Sequence, residues 1–195
     1  MELIQMNKIK SLIACTLLVL TAITSPLSAA NEAKVNEVKQ QNWRAELAQN
    51  LPVLGHRNFI VIADSAYPQQ SNPGIKTIYT GESQIAVVKA VLKAVDNAAH
   101  VNGTIYVDKE LTFVPEHNAK GINNYRKALD EALTGRAIQR LPHMDIIKKI
   151  DASGELFNVL ILKTDLTLPY TSVFIELGAG YWNDKAETEL RESMK

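Results

Sequence analysis

The sequence carries a single cysteine, Cys15. It falls in the first thirty residues, and a chain trimmed of them has no thiol. Disulfides, cysteine nucleophiles and thiolate metal sites are excluded together. Charge of one sign is also missing. Removing Lys8 and Lys10 from the 21 basic residues and Glu2 from the 21 acidic ones leaves 19 and 20, a formal charge of −1. No basic run stands out, so nucleic acid and anionic membrane surfaces are not expected partners; both need concentrated positive charge.

The common catalytic signatures are absent too. There is no HExxH, GxSxG, P-loop or GxGxxG. Gly178-Ala179-Gly180 follows an expected strand, but it has no third glycine and reads as a turn. Without thiols a metal site needs His and carboxylates. Glu116 and His117 are adjacent, so on an extended backbone they point to opposite sides, and the ligand spacings give no support for a metal.

What is present begins with a leader. Lys8 and Lys10 give a positive start, Ser11 to Thr24 (SLIACTLLVLTAIT) is uncharged and apolar, and SPLSAA supplies a turn and small residues. This is the pattern of a cleaved secretory signal over residues 1–30. The run is shorter than the ~20 residues a membrane span needs. Leu12-Ile13-Ala14-Cys15 resembles a lipoprotein box, but most of the apolar run follows Cys15, so it reads as ordinary signal. The expectation is a periplasmic or secreted protein with no membrane association after cleavage.

Residues 31–50 form a polar, helix-prone extension with Val35, Val38, Trp43 and Leu47 on one side. Residues 51–195 are one domain's worth of chain. Strands are expected at Phe59–Ala63, Ile75–Tyr79, Thr104–Val107, Phe157–Leu162 and Pro169–Leu177. Helices are expected around Ile85 to Val95, over Asn123–Leu133 and over His143–Ile150, and Asp108 to Lys120 reads as a polar loop. Strands alternating with helices predict an α/β fold, a single layered domain with a central sheet flanked by helices.

Two stretches carry candidate chemistry. In LGHRNFIVIADSAYPQQ, residues 54–70, an apolar strand separates His56 from Asp64. Five residues at ~3.3 Å each set its ends ~17 Å apart, so the strand alone cannot bring the two together. Either the flanking loops fold back, or the histidine of one subunit meets the aspartate of another. Asp64 sits where α/β sheets hold ligands, and also where an aspartate commonly caps a turn. The second stretch is Leu168-Pro169-Tyr170-Thr171-Ser172, an aromatic and two hydroxyls before the last strand. Tyr67 and Trp182 offer aromatic faces of the kind that pack on sugars, or simply in a core. His143, after Pro142, stands near a helix start.

LGH at 54–56, IVIAD at 60–64 and Pro68 resemble the opening motif of the D-ribose pyranase and L-fucose mutarotase (RbsD/FucU-like) family. Pro169-Tyr170-Thr171-Ser172 with Val173-Phe174-Ile175 resembles its closing motif. The likeness brackets roughly residues 50–182. It implies an isomerase that speeds interconversion of ring forms of a reducing monosaccharide with no metal or organic cofactor. One group protonates the ring oxygen while another takes the anomeric hydroxyl proton, work suited to histidine.

By that resemblance His56 is the general acid/base, Asp64 binds sugar hydroxyls and orients the proton traffic, and Tyr170 contacts the sugar. Ser172, Arg57, Tyr67 and His143 join the substrate-binding set, and the protein forms a ring-like homo-oligomer with sites at subunit contacts. Ser172 stands where the family has asparagine, losing an amide donor and acceptor. The family's third sugar contact has three candidates here: His143, Lys148 and Lys163. The rival readings are a non-catalytic sugar-binding protein on the same fold, and a carbohydrate hydrolase or lyase using Asp64 and Glu116 as a carboxylate pair.

Overall fold

Phe59–Ala63 (β1) is apolar at every position and buried at every position. A strand buried on both faces must be covered on both faces, so it belongs at the centre of a sheet. The computed structural model describes residues 43–195. In it β1 lies between Val159–Lys163 (β5), to which it is parallel, and Val173–Ala179 (β6), to which it is antiparallel. With Ile75–Tyr79 (β2), Val101–Asp108 (β3) and Ile138–Leu141 (β4), the six strands form one mixed sheet in the order β2-β5-β1-β6-β3-β4.

Alternate side chains of the strands feed two cores. Ile60, Ile62, Ile105, Leu160, Leu162 and Ile175 point to one face. There they meet a helix over residues 43–50 (α1), Gln84–Asp96 (α2) and Ile122–Ala132 (α3). Val61, Tyr106, Ile161 and Phe174 point to the other face and meet Ile146 and Ile150 of His143–Leu156 (α4). The result is the expected α/β arrangement, one central sheet flanked by helices.

Trp43 and Leu47 are buried in the larger core, and Trp43 Nε1 donates to Glu82 Oε1 at 3.0 Å. Residues 43–50 of the expected extension thus pack on the domain itself. Residues 1–42, with the leader and with Val35 and Val38, lie outside the described residues. Among the described residues no helix is long and apolar enough to cross a membrane.

Several boundaries differ from the sequence expectation. β3 runs through Asp108, which therefore ends a strand instead of opening a loop. The last strand starts at Val173, because residues 169–170 form a turn, and it runs on through Gly178 and Ala179 where a turn was expected. α4 continues to Leu156. β4 was not anticipated, nor was the final helix Asp184–Ser193 (α5), which has no buried residue.

Candidate active site

β6 enters the sheet between β1 and β3. Val173 pairs with Ile62 on one side and with Val107 on the other. Continuing that register by one residue sets Ser172 between the ends of the two neighbouring strands, where Asp64 and Asp108 lie. Two apolar strands of like pattern, IVIAD and TIYVD, thus deliver two carboxylates to one end of the sheet. α4 begins above the same end, with His143 as its first residue.

Asp64 takes the turn-capping place expected of it. Its Oδ1 accepts from the Ala66 N–H at 2.9 Å, closing the turn after β1, and its Oδ2 accepts from Ser172 Oγ at 3.0 Å. Ser172 is buried. Its hydroxyl is turned onto Asp64, so it orients that carboxylate from behind instead of facing open space.

His143 is held from two directions. Glu110, in the 3-10 turn Lys109–Phe113, accepts the His143 backbone N–H on both carboxylate oxygens, at 3.1 and 3.0 Å. A carboxylate there also complements the positive end of the α4 dipole. On the ring side, Nδ1 lies 3.1 Å from Asp108 Oδ2. Asp108 is only 1% exposed. Burial pushes its carboxyl up to about 6; His143 pulls the other way, and Glu110 and Asp64 add to the rise.

The 3.1 Å contact is poorly aligned. Both Asp108 oxygens and His143 Nδ1 are buried without a well-directed hydrogen bond, as is the Tyr67 hydroxyl. Burying polar groups in that state is costly, and loosely aligned bonds of this kind are common where a ligand completes the geometry. Tyr67 belongs to the smaller core, with its ring tilted against Phe174 at 6.5 Å and its hydroxyl pushed up to about 12 by burial. The ring face is thus taken by the core, the second of its two expected uses, and the hydroxyl is buried with it.

Tyr170 completes the cluster. It is exposed, meets the His143 ring edge-on with centroids 5.6 Å apart, and has φ +57. A left-handed tyrosine is strained and persists only where its surroundings impose it. Here they do. The carbonyl of Thr171 accepts from Tyr125 Oη at 2.6 Å and from the Gln84 amide, and Thr171 Oγ1 donates to the Leu168 carbonyl at 2.8 Å. Gln84 in turn accepts from Thr164 Oγ1, which also reaches the Ala63 carbonyl. One buried network therefore fixes both the Tyr170 turn and the end of β1. Sequence reasoning missed Asp108, Gln84, Tyr125 and Thr164. The likeness of TIYVD to IVIAD was the available signal for the first; the others come from distant segments and leave no local pattern.

His56 lies elsewhere. Because β6 is antiparallel to β1, its far end accompanies the start of β1, and His56 lines a groove of about 920 Å3 there with Gly178, Ala179 and Trp182. Arg57 is beside it, exposed, with φ +75. The loops do not fold back, so within one chain the His56 and Asp64 ends stay apart.

Of the other candidates for a third sugar contact, Lys163 donates to the Tyr67 carbonyl at 2.7 Å and Lys148 is exposed beside Asp145. His143 is the one that stands in the cluster. Glu116 caps α3 by accepting from the Gly121 and Asn123 N–H groups at 2.6 and 3.0 Å. Its oxygens are thus engaged, and the carboxylate that joins Asp64 at this end of the sheet is Asp108. Among the described residues no group of three or more His, Cys, Asp or Glu is placed to hold a metal ion.

Two carboxylates, an imidazole and a phenol thus gather at one end of the central sheet of an α/β protein. The chain belongs to the RbsD / FucU transport protein family, whose profile matches residues 37–179. Solved structures of similar fold include RbsD from Bacillus subtilis complexed with D-ribose, at 18% identity over 69% of this chain and 92% of that one, TM-score 0.49. They also include FucU from Bifidobacterium longum, at 17% over 69% and 94%, TM-score 0.48. A third is the fucose mutarotase from Streptococcus pneumoniae in complex with L-fucose, at 18% over 69% and 91%, TM-score 0.47. No curated protein matches the chain.

Proposed function

We propose that this protein is a sugar mutarotase or pyranase that interconverts ring forms of a reducing monosaccharide by acid–base catalysis. Family membership supports the class of reaction. The observation that carries the chemistry is the loosely aligned Asp108–His143 pair at the sheet end where Asp64 and Tyr170 also stand.

Ring opening moves two protons. A base takes the anomeric hydroxyl proton, an acid protonates the ring oxygen, and the bond between the anomeric carbon and that oxygen breaks to leave a carbonyl. Rotation about the adjacent carbon–carbon bond and reversal of the two transfers close the other form. Asp64, steadied by Ser172, binds sugar hydroxyls as an acceptor. His143 exchanges a proton at Nε2, and Tyr170 packs on the sugar and offers its hydroxyl.

His56 enters from a second copy in this reading. Its separation from Asp64 within one chain then becomes a reason for assembly: each site takes its pocket from one subunit and an imidazole from a neighbour. Export, by cleavage near Ala30, completes the proposal; the amino-terminal sequence of the mature protein tests it, and an intact start at Met1 contradicts it.

Magnetisation-transfer NMR on ribose, fucose, galactose and glucose tests the reaction. Faster exchange of ring forms or anomers with at least one sugar is expected. No acceleration with any of the four contradicts catalysis, and sugar affinity without acceleration selects the non-catalytic binding protein.

A further inference from the structure

Asp108 has no role in the recognition motifs, and burying a carboxylate this completely is unfavourable unless it is well paired. It faces the inner nitrogen of a histidine whose ring is one-third exposed. Glu110 fixes the histidine backbone and Tyr170 touches its ring edge, so the imidazole has little freedom to turn away. With Nδ1 directed inward at Asp108, Nε2 is the nitrogen left for a ligand.

We propose that Asp108 is the positioning residue of the sugar site: its carboxylate decides which imidazole nitrogen of His143 carries the proton, and so whether Nε2 meets the sugar as acceptor or as donor. The inference rests on the sugar-site reading above and deepens it. When Asp108 is ionised it accepts from Nδ1–H, and the Nε2 lone pair takes the anomeric hydroxyl proton. The imidazolium so formed stands between the opening sugar and the carboxylate. The ring oxygen takes a proton from His56 of a neighbouring copy as its bond to the anomeric carbon breaks; on reclosure Nε2–H returns its proton to the carbonyl oxygen, the attacking hydroxyl gives its proton back to that His56, and no other reagent is consumed. When Asp108 is protonated it donates to Nδ1, and a neutral imidazole then presents Nε2–H as a donor.

The charged and titratable groups nearest Asp108 are Asp64 at the end of β1, Glu110 in the 3-10 turn and His143 on α4; Arg126 and Asp130 of α3 and Arg140 of β4 line a cleft with it, and Tyr67 and Tyr125 feel its charge. Its carboxyl, held near 6, lets both arrangements occur close to neutral pH.

Two measurements test the pair. The first is 15N NMR of His143 in the sugar-free protein. At pH 8 the wild type should carry its proton on Nδ1, and Asp108→Ala should move it toward Nε2. A wild-type ring protonated at Nε2 at pH 8 overturns the proposal, whether or not the variant folds. The second is ring-form exchange against pH. Asp108→Asn preserves shape but cannot titrate; it should slow exchange by roughly a hundredfold, the usual scale of one acid–base group, and flatten the pH profile around 6. A variant with the wild-type rate and profile overturns the proposal. If no sugar is turned over but the His143 proton follows Asp108, the sugar reading falls while the Asp–His pair stands.

Discussion

Asp64 uses one carboxylate oxygen to close a turn and the other to hold Ser172, which leaves its remaining lone pairs for a ligand. Asp64→Ala loses both bonds. It is expected to lower stability by about 1 kcal/mol and ring-form exchange by roughly a hundredfold, read by urea unfolding and magnetisation-transfer NMR. A rate loss no larger than the stability change implies would remove Asp64 from the site.

Asp108 behaves differently because it is buried. Its acid is favoured in the fold, rising from 3.8 to about 6. The stabilisation this gives is full below about pH 4 and is lost as pH rises through about 6, a change of about 3 kcal/mol. Asp108→Asn removes that dependence. The variant should therefore gain about 2 kcal/mol relative to wild type between pH 4 and pH 8, in urea unfolding at the two values. Parallel stability at both would contradict the buried carboxylate. At this scale motif and position singled out Asp64, Tyr170 and His143, which the fold brings to one end of the sheet. It hid Asp108, because a carboxylate after an apolar strand looks the same whether it meets solvent or a histidine 35 residues away.

The elements were legible where burial is uniform or periodic. The all-apolar run of β1 and the helical spacing of Val88, Leu92 and Val95 on α2 are read directly from side-chain type. β4, IQRL, was not, since it is a short edge strand with both central residues exposed and little apolar pattern. α5 was missed for the opposite reason: none of its residues is buried among the described residues. Deleting residues 181–195 should thus shift unfolding by less than about 1 kcal/mol. A larger loss at higher protein concentration would mean that Tyr181, Trp182 and Leu190 are covered by a second copy. α1 is the contrasting case. Trp43 is fully buried, and Trp43→Ala should cost about 3–5 kcal/mol, in the same unfolding assay; a neutral result would detach α1 from the core.

For the whole molecule, the decisive fact is the direction of β6. An antiparallel neighbour of β1 enters at Ser172 beside Asp64 and leaves at Ala179 beside His56. The sheet holds the two motif residues at opposite ends, as the length of FIVIA implies. No rearrangement of the short loops at either end spans that gap, whereas a symmetric assembly can set one subunit's His56 end against another's Asp64 end. Sequence gives the separation but not the packing of copies, because an oligomer contact is written in surface shape and not in local periodicity.

Mixing two inactive subunits tests this most directly. His56→Ala and Asp64→Ala proteins are co-refolded in equal amounts, and ring-form exchange is measured by magnetisation-transfer NMR against wild type and each variant alone. If each site joins His56 of one chain to Asp64 of another, both variants are silent and random assortment restores about a quarter of the sites. A mixture as inactive as its components, beside an active wild type, would contradict a site shared between subunits.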